Sequence, residues 1–87
     1  MTDWVWEFVP DADHVVGGLG VQARLDVERL AQRLADAAAV RYLGDPPVQE
    51  SGVSPILSHA EGDLIVWYLE HRRFASVFVV RVQQWSP

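Results

Sequence analysis

The chain contains no cysteine and no lysine, has one methionine, and has no apolar run long enough to cross a bilayer. Without cysteine there are no disulfides and no thiolate metal sites. The longest apolar run, residues 64–69, has the length of a strand, against the roughly 20 residues of a membrane-spanning helix. The first ten residues carry neither a basic stretch nor an apolar core of the secretory type, so a cytoplasmic protein is expected, with no membrane partner. Positive charge is also scarce. Seven Arg face twelve acidic residues for a net charge of −5. Residues 1–50 hold nine of those acids against four Arg, while residues 51–87 hold three against three. An acidic chain repels the phosphate backbone at long range, which argues against general nucleic-acid binding.

What is abundant is apolar and aromatic surface. Nearly half of the 87 residues are apolar and four are Trp. A chain this short makes a single domain, residues 1–87, whose core gains much of its stability from burying a few large rings. An apolar patch shared with a protein partner or a second copy would supplement it.

Residues 4–9 alternate Trp4, Trp6 and Phe8 with Val5, Glu7 and Val9 and read as a first strand that Pro10 ends. Asp11 is a good N-cap for a short helix over residues 12–19, which Gly17 and Gly18 weaken. Over residues 21–42 the stripe of Ala23, Val27, Leu30, Ala31, Leu34 and Ala38 opposes Gln22, Asp26, Arg29, Gln32, Arg33 and Asp36. That spacing is an amphipathic helix covering a sheet, stopped by Gly44-Asp45-Pro46-Pro47. Residues 53–58 read as a short strand that Pro55 confines to an edge. Gly62-Asp63 marks a turn, residues 64–69 a central strand, 70–73 a second turn, and 74–82 a long Val- and Phe-rich strand. The expected fold is α+β with the order β-α-α-β-β-β. Its two N-terminal helices pack on one face of a small antiparallel sheet and leave the other face open for interaction.

Few residues carry obvious chemistry. Gly17-Gly18-Leu19-Gly20 is similar to a phosphate loop but lacks the following Lys-Ser/Thr, and reads as a helix end. Asp11 and Asp13 are better placed to cap a helix than to hold a cation. No two of His14, His59 and His71 have metal-ligand spacing, so neither a metal nor a cofactor is expected. No Ser sits in a nucleophile elbow. His59 and His71 flank strand ends. They form one candidate catalytic set with Arg72, Arg73 and Arg81, a His moving a proton while the Arg hold a phosphate. The competing reading of Glu70-His71-Arg72-Arg73 is a solvated hairpin turn.

A strand, two helices and a three-strand meander in about 90 residues resemble the RelE/ParE superfamily of bacterial toxins. Val5-Trp6-Glu7-Phe8-Val9-Pro10-Asp11-Ala12 is similar to that family's first strand and helix start. Gly62-Asp63-Leu64-Ile65-Val66-Trp67-Tyr68 resembles its Gly-Asp-Tyr-Arg-Val-x-Tyr strand. Val79-Val80-Arg81-Val82-Gln83-Gln84-Trp85 resembles its closing strand. The resemblance implies the toxin of a type II toxin–antitoxin pair, with a cognate antitoxin as partner and RNA or the ribosome as target where the domain is an endoribonuclease. It also shows departures. Ala60 stands where an Arg often precedes the turn, Leu64-Ile65 replace the Tyr-Arg pair, and Gln84-Trp85 replace the final His-Arg. Arg81 alone keeps a basic position of the pattern. A site lacking those groups loses roughly 10²-fold or more for each. The reading that follows is a divergent toxin-like domain acting mainly by protein binding, with Trp67, Gln84 and Trp85 at the binding surface. An atypical ribonuclease built on the His/Arg set and a non-enzymatic dimeric module remain alternatives.

Overall fold

The computed structural model describes residues 4–43 and 55–85. Along the chain lie β1 (Val5–Phe8), α1 (Ala12–Val16), α2 (Val21–Arg41), β2 (Leu57–Glu61), β3 (Leu64–His71), a 3₁₀ turn (Arg72–Phe74) and β4 (Ser76–Gln84). The fold is α+β, as the sequence pattern implies, with both helices N-terminal to the meander. The four strands lie in the order β1-β4-β3-β2. β2, β3 and β4 form the expected antiparallel meander, whereas β1 pairs in parallel with β4, Trp6 opposite Val77 and Phe8 opposite Val79. The sheet is therefore mixed. Both helices and the β2–β3 hairpin separate β1 from β4 in sequence, a connection long enough to bring the chain back in the same direction.

α1 ends at Val16 rather than at residue 19. Gly17 is its C-cap, and a Cβ there would come within 2.3 Å of the Asp13 carbonyl oxygen. Asp11 caps the N-terminus by accepting from the His14 backbone N–H at 2.9 Å. α2 buries Ala23, Val27, Leu30, Ala31, Ala35, Ala38 and Ala39. The small alanines let the helix axis lie close to the sheet, where the stripe meets Leu64, Val66, Tyr68, Val77 and Val79 in one core cluster with Val15 and Val16 of α1. All the strand residues of that cluster share one face, so both helices cover the same side of the sheet.

Strand boundaries move in three places. β2 begins beyond Pro55 and continues through His59 to the Gly62 turn, because ladder pairing with β3 carries its polar end. Residues 53–54 of the expected strand, and the Gly44-Asp45-Pro46-Pro47 stop, lie outside the described residues. Gly62 takes φ +58° at the first central position of the two-residue turn, as a II′ hairpin turn requires. Finally, β3 runs through Glu70 and His71, so the second turn is Arg72 to Ala75 and β4 starts at Ser76. Glu70 is strand rather than turn because α2 supplies partners for it. The Tyr42 hydroxyl donates to its carboxylate at 3.0 Å and Arg41 pairs with it. Ala75 occupies the left-handed region at φ 48° and ψ 50°.

Candidate functional site: the open face of the sheet

On β3, Leu64, Val66 and Tyr68 point into the core, so Ile65, Trp67, Leu69 and His71 stand on the face opposite α1 and α2. Register adds Phe78 of β4, opposite Leu69, and Val5 and Glu7 of β1, opposite Ser76 and Phe78. Trp67, Leu69 and Phe78 are half-buried, while Val5 and Phe74 are more than half exposed.

A β-bulge decides what charge this face carries. Tyr68 pairs with Val79 and Trp67 with Arg81, so Val80 is left without a partner. Past the bulge the alternation is offset by one residue: Val82 packs against the core and Arg81 emerges on the open side. Its guanidinium lies 5.1 Å from the Trp67 ring centroid. At the other end of β3, His71 stacks on Phe74 at 4.5 Å between centroids and tilts against Phe78 at 5.6 Å, and Arg73 lies 6.0 Å from the Phe74 ring. The His71 Nδ1 is buried and makes no hydrogen bond among the described residues.

The five candidate catalytic residues do not gather around one point. His71 and Arg81 share the open face, but their register positions are four β3 residues apart, on the order of 13 Å at about 3.3 Å per residue. His59, opposite Val66, is on the helix side of the edge strand, with Nε2 3.6 Å from the Glu61 carboxylate. Arg72 turns toward α2, its guanidinium 4.6 Å from the Tyr42 ring. Arg73 is exposed at the turn. Of the expected partner-binding residues, Trp67 is on the open face beneath Arg81 and Trp85 is 57% exposed just past β4. Gln84 has the helix-side parity of its partner Leu64, and its Nε2 donates to Asp63 at 3.0 Å.

Two other charged clusters belong to the helix side. Arg33 of α2 grips the Glu61 carboxylate with two N–H groups, holding that carboxyl below its usual range and raising the guanidinium. The pair borders a groove of about 300 Å³ between α2 and the Gly62 turn, lined also by Asp26, Arg29 and Asp63. Around Tyr42, Trp4 stacks at 5.5 Å between ring centroids, the Arg41 guanidinium lies 5.7 Å from the ring centroid, and Glu70 accepts from the hydroxyl. Burial, with Glu70 nearby, pushes the adjacent Tyr68 phenol up. Tyr42 and Glu70 were not evident as a site from sequence, since neither belongs to a motif. Among the described residues no group of three or more His, Asp or Glu could hold a metal, and no helix is long and apolar enough to cross a membrane. No protein-family profile, curated protein or solved structure matches the chain.

Proposed function

We propose that the chain is a divergent RelE/ParE-like domain, the toxin of a cytoplasmic bacterial type II pair. In this reading it works by binding protein through the open face of its sheet, and its cognate antitoxin is one such partner. The observation that carries this reading is the composition of that face: a half-buried apolar centre edged by aromatic rings and arginines, with neither α1 nor α2 laid over it. Such a face is a docking surface by composition. The strand, two helices and three-strand meander agree with what the sequence resemblance implies. RNA cutting is disfavoured, because a phosphate held at Arg81 has no histidine within a hydrogen bond's reach: His71 is about 13 Å along the strand and His59 is on the other face.

Inducible expression in a bacterial host tests the reading, with growth, translation and DNA synthesis followed together. Arrest that a co-expressed small partner reverses, without fragmentation of messenger RNA, is the expected result. Arrest accompanied by RNA cleavage that His71→Ala and Arg81→Ala abolish would establish the ribonuclease instead.

A further inference from the structure

We infer that the groove between α2 and the Gly62 turn binds a free α-amino acid in its zwitterionic form, one with a short aliphatic side chain. The groove lies on the helix side of the sheet, where Glu61 pairs with the core residue Leu64, and its occupancy does not depend on the toxin reading.

Asp26, Arg29, Leu30 and Arg33 fall at positions i, i+3, i+4 and i+7 of α2 and so share one face of that helix. Glu61, Gly62, Asp63 and Leu64 form the opposite wall. Leu30 and Leu64 belong to the core and make the floor apolar. The volume of about 300 Å³ equals that of roughly ten waters, which is the scale of one free amino acid.

The charged groups differ in how far they are committed. Arg33 and Glu61 hold each other through two N–H groups, which leaves that end closed to a ligand. At the other end the Arg29 guanidinium stands 3.7 Å from the Asp26 carboxylate, too far for a hydrogen bond. Both partners therefore keep hydrogen-bonding capacity. The acids are also held in place. Gln22 donates to Oδ1 of Asp26 at 3.0 Å, and Gln84 donates to Oδ2 of Asp63 at 3.0 Å. The Trp85 backbone N–H donates to the Asp63 carbonyl at 2.7 Å. Each carboxylate thus has one oxygen engaged and, among the described residues, one open.

An α-amino acid carries its ammonium and carboxylate on either side of one carbon, about 2.5–3 Å apart. That spacing is close to the 3.7 Å between Arg29 and Asp26. The carboxylate takes the Arg29 fork, the ammonium takes Asp26 and Asp63, and the side chain lies over Leu30 and Leu64. Two arginines against three acids give the lining a net charge of 2 − 3 = −1, and the chain carries −5. Both values draw a lone amine as well and repel a lone carboxylate. Arg29 separates the amine from the zwitterion at short range, because it repels the one and forms hydrogen bonds with the other. These contacts are partly solvated, so the affinity belongs in the millimolar range.

The test titrates the full chain with L-valine, N-acetyl-L-valine and L-valinamide at up to about 20 mM and follows the backbone amides by NMR. L-Valine should shift the Arg29, Gly62 and Asp63 amides saturably, with a Kd of about 1 mM. Acetylation removes the positive charge and amidation the negative, and each should weaken binding about tenfold. Arg29→Gln should bring the affinity for valine down to that for valinamide. Asp63→Asn should weaken valine and leave N-acetylvaline unchanged. The amide spectrum of each variant checks its fold. Equal binding of the three compounds, or valinamide binding more tightly than valine, would overturn the inference. So would shifts confined to residues outside the groove, or no shift at about 20 mM.

Discussion

Removing Arg41 tests the joint between the end of α2 and the central strand β3. The Glu70 side chain is only 7% exposed, whereas that of Arg41 is 52% exposed. Breaking a fully buried ion pair by deleting one partner costs about 3–5 kcal/mol, and an exposed pair is worth about 0.2–1 kcal/mol. Here the acid is buried and the base is half in water, so the two possible deletions differ. Arg41→Ala leaves the carboxylate with the Tyr42 hydroxyl as its remaining described partner, and should cost about 2 kcal/mol. The new Ala adds no helix penalty. Glu70→Gln keeps an acceptor for Tyr42 and frees Arg41 into solvent, for a cost of about 1 kcal/mol. The double variant should fall about 1 kcal/mol short of the sum, because the second change removes what the first left unpaired. Urea unfolding followed by Trp fluorescence gives all three values. The Arg41→Ala loss corresponds to a fall in Tm of roughly 8–16 °C for a domain of this size. Two single variants that each cost less than about 0.5 kcal/mol would show the pair to be an ordinary solvated contact, and the reasoning would fail.

Val66→Ala, in the core of the central strand, should destabilise by about 2–3 kcal/mol, and Ile65→Ala on the open face by clearly less; equal losses in urea unfolding would contradict the assignment of faces. Ala75→Gly should add about 0.5–1 kcal/mol, since Ala75 adopts a left-handed conformation that glycine takes freely, and Gly62→Ala should cost about 1 kcal/mol for the converse reason. The hydrogen bond between Asp11 and His14 raises the imidazole pKa and lowers that of the carboxyl. A raised folded pKa stabilises below the ordinary histidine value and is lost as pH rises through the raised one. A lowered carboxyl pKa stabilises above the ordinary carboxylate value and is lost as pH falls through the lowered one. The pair therefore contributes most between those limits, and Asp11→Asn should lower the His14 pKa in an NMR titration, an unchanged value refuting the contact.

The local patterns in the chain carried much of this fold. The stripe from Ala23 to Ala38 marks α2 because 3.6-residue spacing is a property of the helix itself, and the apolar run at Leu64 marks β3 for a similar reason. What stayed hidden depends on distant partners. Glu70-His71-Arg72-Arg73 reads as a turn until Arg41 and Tyr42 arrive from α2 to satisfy Glu70. The parallel pairing of β1 leaves no trace in Trp4 to Val9, and nothing in an alanine announces the left-handed backbone at Ala75. The site was legible as a set of residue types and not as an arrangement. Trp67 and Arg81 both stood out in sequence, but their contact exists only because the bulge at Val80 moves Arg81 to the open face. His59 and Arg72 looked equally suited to join them and are directed elsewhere by register and by the Tyr42 ring.

The central claim is that the open face is where the protein acts. The most direct test compares induced wild-type chain with Trp67→Ala and Arg81→Glu in a bacterial host, with soluble expression and circular dichroism matched across the three. Growth arrest by the wild type that both folded variants lose is the predicted result. Unimpaired growth at high soluble expression of the wild type, or arrest that survives both substitutions, would contradict it.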